Sequence, residues 1–229
     1  MRFVLTNDDG IDAPGIVALE RAIEGDGIVV APKEHQSGCS HQATYLDRPI
    51  HVHKRDERHF AVDGTPADCT RIALFDLNPK PEFLLSGINA GGNLGGDVWL
   101  SGTVAAAREA AFIGVPAIAF SQYFKPDYEF DWERAAVWTR KVLEDIATRP
   151  QQKGTFWNVK LPHLAPNDPD PDVIDCPICT QPLPLEYEID GEHYVYRGKY
   201  ATRARDPKSD VDLCFGGKIT ISRLHIYHQ

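Results

Sequence analysis

The chain has 229 residues, enough for one large α/β domain or a domain with an appendage. Apolar residues make up 42% and charged residues 25%, the balance of a chain that buries a core, which excludes an intrinsically disordered protein. The formal charge of −9 speaks against a nucleic-acid polymer as partner, because phosphate backbones are held by an excess of Lys and Arg; a single nucleotide stays compatible.

The opening stretch "MRFVLTNDDG" has one basic residue and a short apolar run before polar residues begin, so neither a signal peptide nor a membrane span is expected there. A cytoplasmic protein without a membrane partner follows as the expectation. "RFVLT" and "IVVAP" read as strands. Between them, Ile16, Leu19 and Ile23 recur at helical spacing, with Pro14 near the start and Gly25 after the end. "VDGTPADCTRIAL" predicts a turn at Asp63-Gly64 ahead of a helix that has Pro66 near its start. The strand-helix alternation returns as "FLLSG", "SGTVAAAREAAF", "PAIAFS", "DWERAAVWTRKVLEDIA" and "TFWNVKLP". In the last of these helices the apolar positions are Trp132, Ala135, Ala136, Val142, Leu143 and Ile146. Such alternation predicts a three-layer α/β fold, Rossmann-like, with a mostly parallel sheet and helices on both faces.

"HLAPNDPDPDVID" is rich in Pro and Asp and is expected to be loop. "LEYEIDGEHYVYRG" alternates around Asp190-Gly191, a hairpin signal, and "GGKITISRLHIY" predicts a late strand. Residues 1–229 are therefore expected to form one domain, with about 183–200 a protruding C-terminal hairpin. Five cysteines are an odd number scattered through a large chain, which is no disulfide framework. Cys176 and Cys179 have half the spacing of a zinc site, and a pair of ordinary thiols in a loop is the better reading.

Ligands of open parallel sheets sit beyond the carboxyl ends of the strands. Three loops leave strands there: "TNDDG", "APKEHQSGCSH" and "SGINAGGNLGGDVWLSGTV". Asp8 and Asp9 are adjacent carboxylates, which repel, and offer the hard oxygens suited to Mg²⁺ or Mn²⁺. Capping of the following helix is the alternative, for which one Asp suffices. The third loop is rich in Gly and Asn and ends in Ser101, Gly102 and Thr103 ahead of a run of helix formers. Free NH groups and hydroxyls at a helix start attract an anion, phosphate above all; a plain N-cap at Ser101 is the simpler alternative. Next to a metal-type carboxylate pair, phosphate with a cation is favoured. Ser37 in the second loop could ligate a metal or contact phosphate. His35, His51, His53 and His59 show no matched metal-ligand spacing and receive no role. A receiver domain would need an acceptor Asp after the third strand and a Lys after the fifth. A haloacid-dehalogenase-type phosphatase would need D-x-D where "DD" stands.

"VLTNDDGIDAPGI", "APKEHQSG", "GTPADC", "SGINAGGNLGGD" and "SGTVAAAREAA", in this order, resemble the SurE family of metal-dependent nucleotidases, mainly over residues 1–125. The resemblance implies one divalent cation per subunit, Mg²⁺ or Mn²⁺, held by Asp8, Asp9, Ser37 and Asn89, with Asp8 and Asp9 also catalytic. It implies that Asn93, Ser101, Gly102 and Thr103 surround the substrate phosphate. The implied activity is that of an acid-type phosphatase hydrolysing nucleoside 5′-monophosphates, with 3′-nucleotides as a further class, in a homodimer or homotetramer using the hairpin as an arm. A non-catalytic nucleotide-binding or regulatory relative is the alternative.

Overall fold

β1 (Arg2–Thr6) is the strand about which the sheet is arranged. In the computed structural model, which describes residues 1–24, 26–77 and 80–227, it pairs in parallel with β2 (Asp26–Pro32) on one side and β5 (Phe83–Ala90) on the other. Outward from β2 come β4 (His59–Val62), parallel, and β3 (Val52–Lys54), antiparallel. Outward from β5 come β6 (Ala117–Gln122) and β7 (Thr155–Leu161), both parallel. β11 (Ile219–His225) then runs antiparallel to β7, and β8 (Val173–Asp175) closes that edge. The winding reverses between β1 and β5, and the crevice outside their carboxyl ends is where such sheets take ligands.

Alternate residues of β1 serve the two faces, as a pleated strand requires. Phe3 and Leu5 join a core with Ile16 and Leu19 of α1 (Pro14–Ala22) and Trp138, Val142, Leu143 and Ile146 of α4 (Trp132–Thr148). Each of these large side chains contributes about 1.5–3 kcal/mol by leaving water. Val4 points the other way, toward Cys69 of α2 (Pro66–Ile72) and Val104 and Ala107 of α3 (Gly102–Ile113). The α/β class, the parallel sheet and helices on both faces are thus as expected. Of the apolar positions expected on α4, Trp132 alone is only partly buried. α1 ends at Ala22, with Ile23 already extended, and Gly25 lies outside the described residues.

Four strands and α-helices among the described residues were not expected. β3 and β4 flank the polar run "HKRDERH", and β8 occupies the end of the Pro-Asp segment read as loop. The fourth is the short α5 (Asp210–Phe215). The hairpin itself, β9 (Tyr187–Asp190) and β10 (His193–Tyr196), forms a separate two-stranded sheet, wholly exposed, that turns at Gly191-Glu192, one residue later than expected, because Asp190 still pairs with His193. Behind it the chain returns to the sheet: Val211 and Cys214 of α5 pack on Leu94, Tyr123 and Cys179. No helix among the described residues is long and apolar enough to cross a membrane.

Candidate functional site

β1 ends in a turn that Asn7 closes on itself. Its side-chain NH₂ donates to the Gly10 carbonyl (2.8 Å) and its Oδ1 accepts from the Gly10 NH (3.2 Å). That clasp leaves Asp8 and Asp9 at the crest of the turn. Asp8 is 4% exposed, while Asp9 is half-buried. Neither caps α1, whose N-cap is Ala13 without a side-chain cap, so the capping alternative is removed. Gly15 presses α1 against the end of β5: a β-carbon there would lie 1.9 Å from the Ile88 carbonyl oxygen.

Thr103 donates its hydroxyl to Asp8 Oδ1. Burial pushes the Asp8 carboxyl above the ordinary carboxylate range, the Thr103 hydrogen bond opposes that, and the like charge of Asp9 adds to it. Among the described residues no Lys, Arg or His forms an ion pair with Asp8. Asp9 is different: its Oδ1 faces His35 Nδ1 at 3.5 Å, and its Oδ2 lies 3.4 Å from the Ala90 NH at the end of β5. His35, given no role from sequence, therefore belongs to the carboxylates' surroundings.

The loop after β2 is pinned to the same turn, because the Gln36 NH donates to the Asp8 carbonyl (2.7 Å) and the Cys39 NH turns back to the Gln36 carbonyl. Ser37 sits exposed on that turn. Cys39 is no ready nucleophile: burial, then the Asp8 charge, pushes its thiol up to about 11. At the end of β5, Asn89 donates its side-chain NH₂ to the Gly91 carbonyl (3.1 Å), which leaves its Oδ1 without a protein donor among the described residues. The turn that carries Asp8 and Asp9, the Ser37 loop and the end of β5 that carries Asn89 thus adjoin one another.

The start of α3 closes the crevice. Ser101 is its N-cap, accepting from the Val104 NH (3.1 Å), so the capping role expected as the simpler alternative is real. The Gly102 residue lies so close to Asp8 that a β-carbon there would be 2.9 Å from Asp8 Cβ and Oδ2 and 3.1 Å from Cys39 Sγ. Glycine is needed for this approach. Thr103, expected beside the substrate, is fully buried and turned onto Asp8. Asn93 sits in the left-handed region (φ 45°), its side chain donating to Ser121 Oγ (2.7 Å) and its carbonyl accepting from Asn158 (3.3 Å).

Two clamps hold these loops. Glu109 on α3 accepts from Arg71 of α2 (2.6 Å) and pairs with His41 of the second loop (2.8 Å). Burial alone would raise its carboxyl; the hydrogen bonds from His41 and Arg71 outweigh that and hold it below the ordinary range. On the other side, Tyr200 and Arg203 both reach Asp97 in the Gly-rich loop, at 2.5 and 3.0 Å. Sequence reasoning missed Asn7, Glu109, Tyr200 and Arg203. For Asn7 the signal was present, since Asn at a turn bonds its own backbone.

The family model for survival protein SurE matches residues 3–181. A Nostoc sp. (strain PCC 7120) protein, named provisionally as a 5′-nucleotidase, is 53% identical over 227 residues, covering 99% of this chain and 100% of its own. The 5′-nucleotidase SurE of Caulobacter vibrioides is 36% identical over 244 residues, covering 99% of this chain and 90% of its own. The crystal structure of the SurE protein from Aquifex aeolicus superposes with a TM-score of 0.87 at 30% identity, covering 100% of this chain and 95% of that one.

Proposed function

The chain belongs to the survival protein SurE family, and on that premise we propose that it is a divalent-metal-dependent phosphomonoesterase that hydrolyses nucleoside 5′-monophosphates, with 3′-monophosphates as a further substrate class. One observation carries the reading: a buried carboxylate with a second beside it and, among the described residues, no cationic side chain paired to it, at the reversal point of the sheet. Such a pair is costly unless a cation binds there.

The residues fit a hard cation. Asp8, Asp9, Ser37 and the Asn89 Oδ1, which has no protein donor among the described residues, are all oxygen donors, the set that suits Mg²⁺ or Mn²⁺. Bound there, one cation per subunit would supply charge neutralisation for the phosphoryl group and acidify water. The protein's own contribution is positioning, which dominates phosphoryl transfer. Thr103 fixes the Asp8 carboxylate by holding one oxygen as an acceptor. Asp9, less buried and facing His35, is the carboxylate able to take a proton from the attacking water and pass it to solvent. Ser101, Gly102 and Asn93 line the start of α3 and the loop before it, where the positive end of the helix favours the phosphate oxygens as charge redistributes onto them. The exposed Tyr187, Ile189, Tyr194, Val195 and Tyr196 of the hairpin support its use as an arm in a homodimer or homotetramer.

The test is phosphate release from a panel of nucleoside 5′- and 3′-monophosphates, with EDTA and then with Mg²⁺ or Mn²⁺ restored. Release lost in EDTA and regained with the cation is expected. Release indifferent to EDTA would sink the metal assignment, and nucleotide binding without any release would favour the regulatory relative.

A further inference from the structure

We propose that His51, His53 and Asp63 form a second metal site, distinct from the crevice at Asp8, that takes a borderline transition ion of the Zn²⁺ class. His53 lies in β3, His51 immediately precedes β3, and Asp63 immediately follows β4, its partner in the edge hairpin. Val52 pairs with Val62, so His51 stands opposite Asp63, whose NH donates to the His51 carbonyl (2.9 Å). His53 is two residues on and therefore projects from the same face. The two imidazoles lie with centroids 4.0 Å apart, tilted by 35°.

The reach of each ring matches its place. His53, one step farther from Asp63, extends its distal Nε2 to 2.9 Å from Asp63 Oδ2; His51, directly opposite, offers its proximal Nδ1 at 4.0 Å from the same oxygen. All three donor atoms fall within 4.8 Å of one another, and this is the single such cluster of His, Cys, Asp and Glu found among the described residues. Of the two rings only His53 is close enough to hydrogen-bond the carboxylate, so His51, at 4.0 Å, is drawn into the group without a side-chain hydrogen bond among the described residues. An ion between the three would engage both rings and the carboxylate together. Lys33 Nζ lies 4.0 Å from the other carboxylate oxygen, Oδ1, which leaves Oδ2 to the histidine side.

Two imidazoles and one carboxylate are a donor set for Zn²⁺, Ni²⁺ or Cu²⁺ more than for Mg²⁺, and three protein ligands leave a fourth position to water. The all-oxygen crevice prefers the opposite class, so the two sites sort metals by ligand type. Asp63 follows the last residue of β4, and Lys33, 4.0 Å from Asp63 Oδ1, begins the loop that carries His35 and Ser37, so the histidine site borders that loop. From sequence, the i, i+2 histidines carry no metal signal until the next strand brings Asp63 opposite.

Calorimetric titration with Zn²⁺ of the full chelator-treated chain carrying Asp8→Asn, which disables the crevice, tests this. One equivalent of saturable binding is expected, unaffected by excess Mg²⁺. Adding His53→Ala should weaken it by about tenfold or more, and His51→Ala with His53→Ala should abolish it. All three side chains are at least one-third exposed, so these variants should keep the parent's melting temperature. Zn²⁺ binding that survives the double histidine substitution, or no saturable binding in the parent, overturns the proposal.

Discussion

At Asp8 the turn after β1, the second loop and the start of α3 meet. The folded Asp8 carboxyl is raised by burial and by Asp9, so it stabilises the ion-free fold only below its ordinary value of 3.8 and costs stability as pH rises through the folded value. Chelator-treated Asp8→Asn should therefore melt above the chelator-treated parent at pH 7, with the gap closing on acidification; equal or lower melting at pH 7 would count against the uncompensated charge. Turnover should fall by roughly 10³-fold, the scale of losing a preorganised electrostatic group. Thr103→Val removes the donor that fixes Asp8 Oδ1. Cation affinity should drop by about 10–100-fold, as for other groups that orient a ligand, read as the metal concentration for half-maximal activity. The pair itself was legible in "TNDDG", but the choice between cap and ligand was not. It turned on where α1 begins, and on a threonine 95 positions away that only folding brings to the carboxylate.

At the scale of elements, the crevice is held by what packs behind its loops. Glu109 links α3 to α2 through Arg71 and to the second loop through His41. Glu109→Gln should destabilise the protein by about 1–3 kcal/mol, since it removes charge-assisted hydrogen bonds from the partly buried His41 and Arg71 to a buried carboxylate, measured by denaturant unfolding at neutral pH. The carboxyl is held below its ordinary value of 4.5. Its contribution is therefore present above that value and fades as pH falls through the folded one, so parent and variant should converge in acid. Long periodic elements such as α3, α4, β5 and β7 were readable because their own apolar spacing determines them. β3, β4 and β8 were not, because three or four residues carry no periodicity and these strands exist through pairing with a neighbour. The Gly-rich loop was recognised as a ligand loop, yet the residues that fix it, Tyr200 and Arg203, lie more than 100 positions on.

Over the whole molecule, one buried pair joins the sheet to the returning C-terminal segment. Lys160 of β7 and Asp210 of α5 meet at 3.1 Å with both side chains wholly buried. Asp210 also accepts from the NH groups of Gly95 (2.9 Å) and Cys179 (2.7 Å). Asp210→Ala would strand a buried cation and should cost about 3–5 kcal/mol, a large part of an ordinary domain's stability; a loss under 1 kcal/mol in denaturant unfolding would show that the pair ties little together. All these supports surround the proposed site of one hard cation on Asp8, Asp9, Ser37 and Asn89, working on a nucleotide phosphate. The most direct measurement is phosphate release from a nucleoside 5′-monophosphate as Mn²⁺ is titrated into the chelator-treated chain, with Asp8→Asn run alongside. Activity should rise from baseline and saturate as one tight equivalent fills in the parent, and stay at baseline in Asp8→Asn. Full activity before any Mn²⁺ is added, or the same saturating rise in the variant, would contradict the metal assignment.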